Sequence, residues 1–271
     1  MTAIDLYPRF PSTRLISQAD FAAFRQTARE RLDARRGYEQ AVIAGGERHD
    51  VPGTCALCLA PAQFVTDPTG WERLPDGRRL PRWDDALLCD CADRLGKRSR
   101  AIVHFAQVAA ALRPWTRLLL FGPPDPSHGR LAALAGDTTA CPALQFHEDG
   151  RRYRLPVPAG GFHLVVAVEC LHLVPPLDAA LAAFRIALAP GGSLVFTVPF
   201  RPDAARTVAR NDIARPDGRL PPAFRDTVHE IGWDVLERLH AAGFATATAH
   251  CYWSAELGYL GSDSMIFHAA R

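Results

Sequence analysis

Phe162-His163-Leu164-Val165-Val166-Ala167-Val168 is an apolar run broken only by His163, and its reading decides the fold. It is far shorter than the roughly 20 residues a membrane span needs. Its β-branched content marks a strand buried on both faces. A helical pattern over 177–189 follows and stops at Pro190-Gly191-Gly192. A second apolar run, SLVFTVP over 193–199, reads as the next strand. Continuous apolar strands separated by an amphipathic helix predict a parallel sheet covered on both faces.

Upstream, a helix over 100–111 leads into an apolar strand over 117–121 (RLLLF). Only the 40 residues from Gly122 to Gly161 separate that strand from the middle one. This is tight for two more strand–helix units, so one helix on that side is expected to be shortened or missing. Downstream, a polar, Pro-rich excursion (201–222) precedes a helix over 233–242, closed by Gly243. Two last strands, 246–252 and 265–270, are joined by a Gly-rich loop. Near the N-terminus, Ser17 reads as an N-cap, and Phe21, Phe24, Ala28 and Leu32 recur at helical spacing. They predict one helix over 18–44, ended by Gly45-Gly46. Three parts result: a helical segment (1–50), a small cysteine-bearing module (51–100) and an α/β domain (101–271).

The chain has 271 residues, 48% hydrophobic and 22% charged, which excludes a disordered chain. Thirty-one basic against 29 acidic residues give a net +2, which steers neither nucleic acid nor acidic lipid strongly. Lys97 is the only lysine, and it sits in the one basic run, Arg94, Lys97, Arg98 and Arg100. No aromatics interleave with that run, so a nucleic-acid partner is not expected. Met1-Thr2-Ala3-Ile4-Asp5 has no apolar signal core, and the expected location is the cytoplasm. Neither a G-x-S-x-G elbow nor a G-x4-G-K-[ST] loop is present.

Cys55 and Cys58 form a C-x2-C pair, and after 30 intervening residues Cys89 and Cys91 form a C-x-C pair. In a cytosolic chain such a cluster points to a metal, and four thiolates suit tetrahedral structural zinc. Two alternatives stay open: reduced thiols without metal, or three cysteines completed by His49 or His104. Cys141, Cys170 and Cys251 read as small hydrophobes.

Open parallel sheets bind ligands beyond the carboxyl ends of their strands. Three segments should meet there: 122–129, 169–172 and the chain from Phe200 onward. Glu169 and His172 suit a general base or a polar substrate contact, or equally a rim carboxylate and a packed histidine. His229 could reach the cleft from the excursion. Tyr252, Trp253 and Tyr259 could wall a pocket or simply pack.

Several stretches resemble the class I S-adenosylmethionine-dependent methyltransferases. LPVPAGGFHLV over 155–165 is similar to their LPFPDGSFDLV, with His163 in place of the aspartate. ECLHLVP over 169–175 and FRIALAPGGSL over 184–194 resemble their xxLEHVP and xxRVLKPGGxL. Gly232-Trp233-Asp234 with Ala242-Gly243-Phe244 fits their last helix and turn. The 55–100 segment also resembles a zinc-binding module found ahead of one bacterial branch. The resemblance implies a Rossmann-like, doubly wound, mostly parallel sheet and methyl transfer from S-adenosylmethionine to a small molecule. It implies Gly122, Asp125, Ser127, Gly129 and Glu148 as cofactor contacts and Glu169, His172 and His229 as catalytic candidates. Structural zinc would sit on Cys55, Cys58, Cys89 and Cys91. One departure stands out: the first loop, FGPPDPSHG over 121–129, keeps two glycines but holds three prolines, which donate no amide hydrogens. Two other readings therefore remain. The chain could have kept the fold and lost the cofactor, serving as a scaffold for a protein partner or a homodimer. Or it could run metal-dependent chemistry in the same cleft on His128, His147, His163, His172 and His229.

Overall fold

Val165 and Ala167 point to one side of a seven-stranded sheet, while Leu164 and Val166 point to the other, and all four are sealed from solvent. The computed structural model describes residues 8–44, 49–66, 71–73, 79–146, 153–174, 176–210, 228–261 and 263–271. Its elements in chain order are β1 (Ser12–Leu15), α1 (Gln18–Thr27), α2 (Arg29–Ile43), β2 (His49–Thr54), β3 (Pro61–Thr66), β4 (Leu88–Cys89), α3 (Lys97–Val108), β5 (Arg117–Phe121), α4 (Ser127–Leu134), β6 (Asp137–Cys141), β7 (Phe162–Val168), α5 (Leu177–Ala187), β8 (Leu188–Thr197), α6 (Asp234–Ala241), β9 (Thr246–Tyr252) and β10 (Met265–Ala270).

The sheet order is β1-β9-β10-β8-β7-β5-β6. Strands β6, β5, β7 and β8 are mutually parallel. The last strands return antiparallel, β10 on β8 and β9 on β10, and β1 closes the edge antiparallel to β9. Leu164–Ala167 pair with Leu118–Phe121 on one side and with 193–196 on the other. The chain reverses its direction of travel across the sheet between β5 and β7, the point where such folds bind ligands. This is the Rossmann-like, doubly wound α/β class. Between β6 and β7 the described chain forms a short ribbon, Gln145–Phe146 against Tyr153–Arg154, and no helix.

Three sequence expectations need correction. The single helix over 18–44 is two helices, broken at Ala28 (φ −101°, ψ 13°), where the Thr27 hydroxyl donates to the carbonyls of Ala23 and Phe24. Such back-bonding bends helices. Ser17 does cap the first, its Oγ accepting from Asp20 N at 3.1 Å, whereas Gly45-Gly46 lie outside the described residues. The 100–111 helix starts earlier, at Lys97, because the carbonyls of Ala86 and Asp84 accept from the first two amides of α3. The strand expected at 193 begins at Leu188, since Pro190-Gly191-Gly192 forms a bulge that shifts the register between Phe162 and Leu164.

One sheet face packs against α1, α5 and α6, with Phe21, Phe184 and Leu239 in its core. The other packs against α3 and the small β2–β3–β4 sheet, where Phe64 and Cys89 share one cluster with Phe105 and Val166. Module and α/β sheet are therefore joined by continuous apolar packing. The loop after β9 is pressed onto the module so closely that a Cβ on Gly258 would lie 2.3 Å from the Phe64 ring. No helix among the described residues is long and apolar enough to cross a membrane.

Candidate functional site

The turn after β2 folds Cys55 and Cys58 together, with Cys55 N donating to Ala60 O and Leu59 N to Cys55 O. Pairing of β3 with β4 then brings Cys89 and Cys91 alongside, and Asp90 N donates to Gln63 O at the bend between them. The four sulfurs lie within 4.8 Å of one another. A tetrahedral zinc with bonds of about 2.3 Å holds sulfurs ~3.8 Å apart, so these donors fit the ion with small movements. Neither His49 nor His104 belongs to the group; the ring nitrogens of His104 lie 2.7 Å from Pro8 O and 3.2 Å from Tyr259 Oη. Burial and the neighbouring Cys55 push the Cys58 thiol up to about 11. Among the described residues this is the one group of three or more metal-binding side chains close enough to share an ion.

At the carboxyl end of β5, Gly122 takes φ +105°, and a Cβ there would lie 2.7 Å from Cys170 Sγ. Asp125 stands just before α4, and its Oδ1 accepts from Ser127 N at 2.8 Å, from Ser127 Oγ at 2.5 Å and from Ser99 Oγ at 3.4 Å. Its Oδ2 makes none of these bonds. Ser127 is buried, and Gly129 has open space around its α-carbon. Glu148 and His147 lie outside the described residues.

Beyond the ends of β7 and β8 opens a cavity of about 350 Å³. Glu169 and Thr197 stand at its sheet end, Phe200 and Ser264 on its flanks, and Trp83 and Asp85 come from the module. Glu169 holds a left-handed backbone, φ +47°, as do Leu59, Leu87, Arg94 and Ala111 among the described non-glycine residues. Its amide donates to Thr197 O at 3.0 Å. Burial raises the Glu169 pKa, while Arg98 and the Thr197 hydroxyl oppose that shift. Arg98 loses some solvation but is held protonated by Glu169 and Asp85.

Of the three catalytic candidates, only Glu169 lines this cavity. His172 sits in the short helical turn Leu171–Leu173, and His229 on a ribbon strand, Val228–Glu230, packed beside that turn. Burial lowers the His229 pKa. His163 stands near the amino end of β7, where its Nδ1 accepts from Arg117 N, away from the carboxyl edge. Tyr252 and Tyr259 are sealed in the core beneath the cavity and the module, although one edge of Tyr252 reaches the cavity wall. Sequence reasoning missed Arg82, Asp84, Asp85 and Ser264 and named Arg98 only as part of the basic run. The lone lysine in an arginine-rich chain was the signal beside them.

Residues 101–248 match the family described as methyltransferase domain. The chain belongs to this family of S-adenosylmethionine-dependent transferases. Among solved structures, it is similar to an S-adenosylmethionine-dependent methyltransferase from Mesorhizobium loti, with 18% identity, 59% of this chain and 92% of that one covered, and a TM-score of 0.40. It is also similar to the Burkholderia thailandensis 1,6-didemethyltoxoflavin-N1-methyltransferase, solved with 1,6-didemethyltoxoflavin and S-adenosylhomocysteine; identity is 15%, coverage 67% and 79%, and the TM-score 0.40. No curated protein matches the sequence.

Toward the amino-acid end of S-adenosylmethionine the first loop presents one carboxylate, Asp125, fixed in place by its Oδ1 bonds. The bare face of Gly122, by contrast, is filled by Cys170.

Proposed function

We propose that the protein methylates a small molecule held in the cavity beside Glu169. The observation that carries the reading is the position of that cavity, at the carboxyl ends of the two central parallel strands of a methyltransferase-family sheet. S-adenosylmethionine supplies an electrophilic methyl group. Asp125 would hold its amino group, with Gly122, Ser127 and Gly129 shaping the loop around it. Transfer to a small acceptor depends mainly on alignment, and a rigid pocket supplies that. Glu169, with its raised pKa, is the group placed to take a proton from the acceptor. His172, in the 171–173 turn, and His229, packed beside that turn, do not line the cavity and take no step in this reading.

Zinc on Cys55, Cys58, Cys89 and Cys91 would staple residues 51–100 to the sheet, in a structural role and in a cytoplasmic protein. Titration calorimetry with S-adenosylhomocysteine tests the reading. Micromolar binding is expected, and no heat at millimolar ligand would overturn it.

A second reading has its own observation. The Gly122–Cys170 contact and the three prolines of the first loop favour a domain that has lost the cofactor and serves a protein partner. A stable copurifying partner together with no ligand heat would support it.

A further inference from the structure

Charges around the 350 Å³ cavity are unequally committed. Asp85 Oδ2 lies 3.1 Å from the Arg82 guanidinium and Asp85 Oδ1 lies 2.7 Å from Arg98. Asp84 Oδ1 lies 2.6 Å from Lys97 Nζ. Each of these cations already holds a carboxylate. Glu169 and Asp263, which also line the cavity, have no cation within 4 Å among the described residues. Glu169 stands half-buried at the sheet end, and Asp263 is exposed at the mouth. The walls also include Trp83 and Phe200. Arg98 acts on Glu169 from beyond contact distance, and aromatic faces and carboxylates with no cation in contact both attract a cation. Arg98 Nε has no partner of its own, but an anion in the cavity would face four carboxylates, Asp84, Asp85, Glu169 and Asp263, against the two guanidiniums Arg82 and Arg98.

Resting on the methyl-transfer reading above, we infer that the acceptor is a small amine with a flat apolar body, its ammonium drawn to Glu169 and its body lodged against Trp83 and Phe200. Asp263 adds attraction at the entrance. Glu169 then has a second task. An ammonium nitrogen has no lone pair to give, so one N–H bond must break first. Its electron pair stays on nitrogen and the proton bonds to the Glu169 carboxylate. Burial has already raised the affinity of that carboxylate for a proton.

Titration calorimetry on the full chain tests this, with and without S-adenosylhomocysteine. The probes are 2-phenylethylamine and tryptamine, set against 3-phenylpropionate and indole-3-propionate. Binding of the amines and not of the carboxylates is expected. Glu169→Gln and Asp263→Asn should each weaken the amines, the first by about tenfold or more, as loss of a charged hydrogen bond implies. Thermal unfolding checks that both variants fold; should Glu169→Gln not fold, Asp263→Asn at its exposed position carries the test. Carboxylates binding as well as the amines would overturn the inference, as would amine binding indifferent to the substitutions that fold. If S-adenosylhomocysteine binds and neither amine does, the amine assignment falls while the transfer reading stands. If the amines bind and S-adenosylhomocysteine does not, the transfer reading falls and the amine site remains.

Discussion

Lys97, sealed from solvent, places its Nζ 2.6 Å from Asp84 Oδ1, and Asp84 keeps about half its side-chain surface in water (53%). The same ammonium donates to Ser264 Oγ and faces the Tyr252 ring at 5.3 Å. The chain's only lysine therefore ties the module loop to the start of β10. Lys97→Met keeps the stem and removes the charge. Removing one partner of a fully buried pair costs about 3–5 kcal/mol. Asp84 can rehydrate, so we expect a smaller loss, about 2 kcal/mol, read from urea unfolding at pH 7. Burial pushes the Asp84 pKa up, but Lys97 and Arg98 pull it further down, for a net lowering. That contribution is present above the ordinary aspartate value of about 4 and is lost as pH falls through the lower folded value. Lys97→Met should flatten this acid limb; an unchanged limb would show that the pair does not set it.

A second titration lies higher on the pH scale. His250 and His268 sit on adjacent strands with ring centroids 6.3 Å apart, and both make T-shaped contacts with Phe105. Burial, His268 and Arg14 lower His250 to about 4, and burial and Arg14 lower His268. Both are neutral in the fold and gain protons on unfolding. Stability is therefore full above the ordinary histidine value near 6.5 and declines as pH drops from there toward about 4. We expect a slope of about 1 kcal/mol per pH unit for His250 in that window. His250→Gln should remove most of it, as measured by chemical denaturation at half-unit pH steps.

How much of this was legible follows from distance along the chain. The strands over 117–121, 162–168 and 265–270 are readable because each carries its own apolar run, and the structure returns the same bounds for these and for 246–252. The α1–α2 break is not readable, because Phe21, Phe24, Ala28 and Leu32 keep helical spacing straight across it and only the Thr27 hydroxyl turns inward. The two cysteine pairs are visible as local spacings, although their convergence depends on the pairing of β3 with β4. The cavity is the least legible part. Asp84, Glu169 and Ser264 come from three distant stretches, and nothing local to Trp83-Asp84-Asp85 marks it as a wall.

Metal removal gives a third expectation. With four sulfurs within 4.8 Å and Cys55 and Cys89 fully buried, purified protein should carry about one zinc per chain by elemental analysis. Binding must displace thiol protons, and the Cys58 thiol is pushed up to about 11, so zinc affinity should fall steeply as pH is lowered from 8 to 6. Chelation, or Cys89→Ser, should lower the melting temperature by about 10 °C, since for a chain this long each kcal/mol is worth about 2–4 °C. Full stability in metal-free protein would dismiss the structural role.

Arg100 offers the sharpest stability test. It is 1% exposed, and its guanidinium donates to four carbonyls: Leu95 at 3.2 Å, Leu87 at 3.0 Å, Leu257 at 2.6 Å and Gly258 at 2.9 Å. Two of those carbonyls belong to the module and two to the loop after β9, while the Phe64 ring lies 4.1 Å beneath the charge. A lysine keeps the charge but has a single compact head with three donors, so it cannot span both groups of carbonyls. Arg100→Lys therefore strands at least one buried carbonyl and leaves a poorly solvated cation. We expect a loss of about 3 kcal/mol or more in urea unfolding. Because the lost bonds include the only guanidinium links to Leu257 and Gly258 among the described residues, limited proteolysis should cut first within 254–261 in the variant. A lysine variant as stable and as resistant as the parent would mean that apolar packing around Phe64, and not the guanidinium fork, holds that loop on the module.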